Sequence, residues 1–259
     1  MPKFAANLSM LFTELDFLDR FAAAAGAGFQ AVEFLFPYDY DKHELAARLQ
    51  VHGLVQVLHN MPPGDWSAGE RGIACHPDRI KDFQDGVEQA IDYARTLGCP
   101  QVHCLAGKVP PGVSQHQAHQ TFIQNLRYAA SLLADAGIGL LIEPINTYDI
   151  PGYFLSRTNQ ALAILDEVGA PNLKIQYDVY HAQRMEGELA GTLRRYLPHI
   201  GHIQVADSPG RHEPGTGEVH YPWLLRHIDQ LGYQGWIGCE YKPAGRTEDG
   251  LGWLQAMNA

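Results

Sequence analysis

Short apolar, β-rich runs recur along the chain, and each gives way to a longer stretch in which apolar positions return at helical spacing. The first pattern predicts strands and the second predicts helices. Eight strands are expected, at 4–8, 31–36, 54–59, 101–105, 139–145, 173–180, 202–206 and 236–241. The longest helices between them fall at 78–97, just after Pro77, a natural helix-start residue, and at 115–136. Several helices finish at a glycine before the next strand: Gly26 and Gly28, Gly53, Gly98, Gly137, Gly169 and Gly232. Glycine accepts the left-handed backbone of a helix cap at little cost, so these positions mark the junctions.

The strands read as nearly continuous apolar runs, as expected when helices cover one face of a parallel sheet and the other face is buried inside. Eight such units close most economically as a single (β/α)8 barrel, an α/β fold that would use the whole chain, 1–259. A dinucleotide-binding sheet would want a G-x-G-x-x-G turn after the first strand, and the chain there reads NLSMLFTE. No Ser/Gly-rich linker divides the chain, and no residue-level repeat accompanies the eight units.

Lys and Arg number 19 against 29 Asp and Glu, a net charge of −10, which argues against nucleic acid as a partner. Apolar residues at 46% and charged residues at 19% describe an ordinary folded protein and exclude global disorder. The first twenty residues carry Glu14, Asp16 and Asp19 and do not resemble a secretory leader; no apolar run is long enough for a membrane span. Cys75, Cys99, Cys104 and Cys239 are too scattered for a disulfide framework. A cytoplasmic protein is expected, with a homo-oligomer left open.

In a barrel of this kind the chemistry sits where the strands end, because side chains there converge on one mouth. The fifth strand ends with Glu143 in LLIEPIN, the sixth with Asp178 in KIQYDVYH, the seventh with Gln204 in HIQVADS and the eighth with Glu240 in IGCEYKP. Each acid alone could be an ordinary salt bridge or cap. Three clustered carboxylates repel one another unless a cation neutralises them or their pKa values rise. Four oxygen donors, with no thiolate or imidazole, favour a hard ion, Mg²⁺ or Mn²⁺.

Other polar groups point the same way with less weight. His59 and Asn60 close the third strand, His103 lies in the fourth, and His181 follows Asp178 at +3; a histidine in such a place is often a hydrogen-bonded wall residue. Glu33 in AVEFLF reads as a buried, paired carboxylate of the barrel wall. Arg71 in GERGIA, Lys108 in LAGKVPPG and Arg211 in SPGRHEPGTGE lie on loops after strands 3, 4 and 7, where a cation either faces solvent or holds an anionic group of the substrate. The loops around Trp66 and Pro110 are candidates for a lid.

The stretches VEFLFPYD, LHNMPPGDWSAGERGIA, IEPINTYDIPGYFL, QYDVYHAQRMEG, HIQVADSPGRHEPGTGEV and GCEYKP resemble the hydroxypyruvate isomerase family of xylose isomerase-like TIM-barrel proteins. The resemblance implies a metal held by Glu143, Asp178, Gln204 and Glu240, with Glu143 and Glu240 as the acid/base pair. It implies an intramolecular oxidoreductase acting on a small sugar acid through a cis-enediolate. Relatives that epimerise ketoses at C3 carry histidine at the position of Gln204, so the glutamine places the chain on the oxo-acid side. There the first expectation is conversion of 2-oxo-tetronate to 3-oxo-tetronate, and the alternative is conversion of hydroxypyruvate to tartronate semialdehyde. An abasic-site endonuclease, which shares the barrel, is disfavoured by the acidic charge. A silent sugar-acid-binding barrel is disfavoured by the paired glutamates.

Overall fold

A computed structural model describes residues 2–254. Eight strands are hydrogen-bonded in sequence order into a closed barrel: β1 (Lys3–Asn7), β2 (Ala31–Glu33), β3 (Val55–Asn60), β4 (Gln101–His103), β5 (Gly139–Ile142), β6 (Leu173–Asp178), β7 (Ile200–Val205) and β8 (Trp236–Cys239). Every pairing is parallel, including the seam where Lys3 pairs with Trp236 and Ala6 with Cys239. The molecule is therefore the expected single (β/α)8 barrel.

Helices α1 (Arg20–Gly26), α2 (Lys42–His52), α3 (Ile80–Leu97), α4 (Gln115–Asp135), α5 (Thr158–Val168), α6 (Val179–Met185), α7 (Leu189–Tyr196) and α8 (Tyr221–Gln230) follow the strands. Local chemistry sets their ends. The Ser114 hydroxyl accepts from the Gln117 amide while the Gln117 side chain accepts from the Ser114 amide, a reciprocal cap that starts α4. Gly53 and Gly98 close α2 and α3 at φ values of 63° and 65°. The helix expected at 78–97 begins instead with a 3-10 turn at Pro77–Arg79.

Two apolar layers result. Phe122, Leu126 and Leu133 of α4 pack with Leu140 and Ile142 of β5 outside the barrel, while Ala5, Ala31, Val57, Leu58 and Leu141 form a separate inner cluster. Most expected strands run one to three residues past the observed pairing at the mouth: 139–145 ends at Ile142 and 236–241 at Cys239. The apolar character continues into loops that pack on the barrel rim, so composition alone does not mark where the ladder stops. Among the described residues no helix is long and apolar enough to cross a membrane.

Candidate active site

Glu143 and Glu240 stand one residue beyond the ends of β5 and β8, Asp178 is the last residue of β6, and His181 lies in the first turn of α6. All four are buried, and one ligand atom from each lies within 4.8 Å of the other three, the one such group among the described residues. Asp178 is fixed by its backbone role, since Oδ1 accepts from the Tyr180 amide at 2.8 Å and caps α6. Its Oδ2, and Oε1 of Glu143, are buried with no hydrogen-bond partner. Buried carboxylate oxygens are rarely left so, and two of them converging on one point suit a cation.

Burial pushes the Glu240 carboxyl up to about 8 despite the opposing pull of Arg211, and pushes Asp178 up to about 6. Glu143 is raised well above the ordinary carboxylate range, first by burial and then by repulsion from Glu240 and Asp178. Arg211, on the loop after β7, supplies part of the counter-charge: Nη2 lies 2.5 Å from Glu240 Oε2 and 3.6 Å from Asp178 Oδ2. Its guanidinium also lies over the Tyr180 ring, 5.1 Å from the centroid.

The histidines divide by orientation. Asn146 donates to Nδ1 of His181 at 2.7 Å, an assignment supported by the Asn146 oxygen accepting from the Asp149 amide. Neutral His181 therefore carries its proton on Nε2, which points at Glu143 Oε1 (3.8 Å) and Asp178 Oδ2 (3.6 Å) and can donate into the site. Burial and then Arg211 hold its pKa well below the usual imidazole value. His103 donates from Nδ1 to Asn60 Oδ1 at 3.2 Å and turns a partnerless Nε2 toward Glu143 Oε2, 3.7 Å away; burial lowers its pKa to about 3.

His59, expected to touch substrate, faces elsewhere. A register irregularity between Val32 and Glu33 pairs Val32 with Gln56 and Glu33 with Leu58. Val57 is the extra residue, so Gln56 before it and His59 after it both turn to the helix side, where His59 lies by Gln56 Nε2 (3.4 Å), the Tyr38 ring and the Ala90 backbone of α3. Burial lowers its pKa to about 4, so it is a neutral wall residue.

Gln204 pairs in register with Asp178, on the inner face of β7. Its oxygen accepts from Gln176 Nε2 at 2.6 Å and its amide group donates to Glu33 Oε1 at 2.7 Å. Glu33 is the node beneath the site, also accepting from Asn7 Nδ2 (2.9 Å) and lying 2.7 Å from His202 Nε2. The same Asn7 amide group reaches Glu240 Oε1 at 3.3 Å. Asn7 closes β1 as Glu240 follows β8, so the strand-end rule applied to the first strand points to it. Arg71 and Lys108 sit farther out, on the rim loops after β3 and β4, lining a cavity of about 600 Å³.

The profile of the xylose isomerase-like TIM-barrel family matches residues 21–257. Hydroxypyruvate isomerase of Escherichia coli is 57% identical over 254 residues, 98% of each protein. A 2-oxo-tetronate isomerase of Cupriavidus necator is 53% identical over 255 residues, again 98% of each. A crystal structure from Brucella melitensis, described as an AP endonuclease of family 2, superposes with a TM-score of 0.96 at 48% identity and covers 99% of both chains. Strand order, mouth-facing carboxylates and full-length similarity agree, and the chain belongs to the xylose isomerase-like TIM-barrel family, alongside hydroxypyruvate and 2-oxo-tetronate isomerases.

Proposed function

We propose that this isomerase moves a carbonyl between adjacent carbons of a small hydroxy-oxo-acid, with Glu143 and Glu240 as the acid/base pair. The observation that carries the reading is the convergence of these two glutamates, from the ends of β5 and β8, on one buried cluster. The orphaned oxygens of Glu143 and Asp178 in a cluster dominated by carboxylates suit Mg²⁺ or Mn²⁺, which Glu143, Asp178 and Glu240 would hold, with the Gln204 oxygen, which also accepts from Gln176, as the fourth ligand. Such an ion supplies Lewis-acid stabilisation of the negative charge that develops on the substrate oxygens.

One glutamate removes the proton from the hydroxyl-bearing carbon, giving a cis-enediolate; the hydroxyl proton passes from that carbon's oxygen to the former carbonyl oxygen, the other glutamate, starting protonated, delivers its proton to the former carbonyl carbon, and exchange with solvent returns both carboxyl groups to their starting states. The proton on His181 Nε2 is placed to hydrogen-bond a substrate oxygen during this exchange, and Arg211 holds Glu240 in position. No redox cofactor enters the balance, since hydrogen leaves one carbon and returns to its neighbour.

The first substrate reading is 2-oxo-tetronate, and relatives of that name at 53% and 49% identity support it. Hydroxypyruvate is the second, favoured by the 57% identity to the Escherichia coli enzyme. The description of the Brucella protein is not carried over, because a net charge of −10 disfavours a phosphate-backbone substrate. The test is NMR of the metal-loaded protein in deuterated water with each acid. Appearance of the shifted carbonyl with solvent deuterium on carbon is the expected result, and inertness toward both acids would overturn the reading.

A further inference from the structure

The rim loops hold two cations that the carboxylate cluster does not use. Arg71 donates from Nη1 to the carbonyls of Trp66 (3.0 Å) and Glu70 (2.6 Å), and its guanidinium stacks 3.9 Å from the Trp66 ring centroid. Lys108 Nζ donates to the Gly69 carbonyl at 3.2 Å. Both cations are thus tied to the carbonyls of one short segment, and among the described residues neither has a carboxylate partner. Neighbouring Arg79, by contrast, pairs with both Glu70 and Asp82. Arg71 and Lys108 line one cavity without an ion pair of their own, beside Glu70, which is engaged by Arg79, and Asp78, and their free donors can receive an anion.

The arrangement is built rather than loose. Gly72 (φ 99°) and Gly107 (φ 98°) let the two loops meet backbone to backbone: a Cβ on Gly72 would stand 2.4 Å from the Leu105 oxygen, and one on Gly107 would stand 2.5 Å from the Gly72 oxygen. The Cys75 amide donates to the Ala106 carbonyl at 2.9 Å, and His76 Nε2 donates to the Lys108 carbonyl at 2.8 Å. The Phe154 amide donates to the Gly107 carbonyl at 2.9 Å and Lys108 bridges to Tyr153, which ties the pair to the loop that begins at Glu143. The cavity between these loops is about 600 Å³ and is walled also by Pro110 and Gly152.

We propose that Arg71 and Lys108 form the subsite for the substrate carboxylate, holding it at the rim while the carbons that exchange the carbonyl lie over Glu143 and Glu240. This rests on the oxo-acid isomerase reading. With Nη1 committed to carbonyls, the Nη2–Nε edge of Arg71 has no hydrogen-bond partner among the described residues and offers the planar two-donor fork that a carboxylate matches. Lys108 adds a point charge beside it. The Trp66 ring beneath the guanidinium reports on the site.

Two measurements test this. In steady-state assays with hydroxypyruvate and 2-oxo-tetronate, Arg71→Ala and Lys108→Ala should each raise KM about tenfold or more, with a smaller fall in kcat, the pattern of lost uniform binding. Arg71→Lys should not restore KM, because an ammonium lacks the fork. In a fluorescence titration, D-glycerate should perturb Trp66 emission in the parent and not in Arg71→Ala, with Trp66→Phe identifying the source, and glycerol should have no effect. Unchanged KM in both alanine variants overturns the subsite, as does a response to glycerol equal to that of glycerate. A saturable response to inorganic phosphate with KM unmoved by the substitutions does the same, by marking a general anion site. Failure of the parent to turn over either acid overturns the isomerase reading instead, while the glycerate titration still decides the subsite.

Discussion

Gly238 in β8 is the position where a single methyl group should do most harm to the site without touching it. A Cβ there would stand 2.4 Å from both carboxylate oxygens of Glu33 and 2.6 Å from its Cδ. Ordinary contact begins near 3.4 Å, so the carboxylate must retreat by 3.4 − 2.4, about 1 Å. It has little freedom to do so, being buried and held by Asn7, Gln204 and His202 at 2.9, 2.7 and 2.7 Å. A 2.7 Å hydrogen bond lengthened by 1 Å is no longer one. Losing one bond to a charged group costs about 1.5–3 kcal/mol, and overpacking adds about 1–3. The entropy that Gly→Ala removes from the unfolded chain offsets about 0.4–1 kcal/mol. Gly238→Ala is therefore expected to lose about 1.5–5.5 kcal/mol, a fall in Tm of roughly 3–22 °C by the scaling for domains near this size. Calorimetric or circular-dichroism melts measure it. Glu33→Asp, which shortens the acid by one methylene, should recover part of the loss when combined with Gly238→Ala. A Gly238→Ala protein melting within about 2 °C of the parent would refute the reasoning, because even the smallest net loss, about 1.5 kcal/mol, lowers Tm by about 3 °C.

Three further outcomes are expected. Replacing Glu143 or Glu240 by Gln keeps an oxygen donor but removes the transferable proton, so each variant should lose about 10²–10⁴ in kcat with metal retained, and turnover within about tenfold of the parent contradicts a proton-transfer role. Asp178→Ala should abolish stoichiometric metal in elemental analysis while leaving a folded protein. In the metal-free parent, Glu240 near 8 and Asp178 near 6 hold protons that the unfolded chain releases, so stability should fall as pH rises from about 4 to 8. Binding must displace those protons, so affinity for Mg²⁺ or Mn²⁺ should climb over the same range with proton release, measurable by calorimetry in two buffers; a flat profile goes against the raised carboxyl groups.

The eight strands were legible because a parallel barrel buries both strand faces and leaves apolar runs that helical spacing cannot mimic. Convergence of Glu143, Asp178 and Glu240 followed from a rule that needs only the strand ends. The facing of His59 was not legible, because it depends on one irregular residue pair between β2 and β3, and a shift of a single position turns every later side chain to the other face. Nor could local pattern reveal that Arg211 reaches back to Glu240 and Asp178, or that Asn7 joins Glu33 to Glu240 across more than two hundred residues. Those contacts exist only once the barrel is closed.

The seam between β1 and β8 has a consequence for how the molecule comes into being. Strands β1 to β7 can pair with sequence neighbours as they appear, but β1 has its second partner only when Trp236–Cys239 arrives. Until then β1 and β7 each present an unpaired edge, the feature of partly made sheets that invites pairing with other chains. Glu240 follows that last strand directly, and its bonds to Asn7 and Arg211 are made across or beside the seam. Completion of the acid/base pair and removal of the exposed edges thus both depend on the pairing of β8. A substitution that weakens β8 pairing should lower the yield of folded protein and the active fraction in parallel.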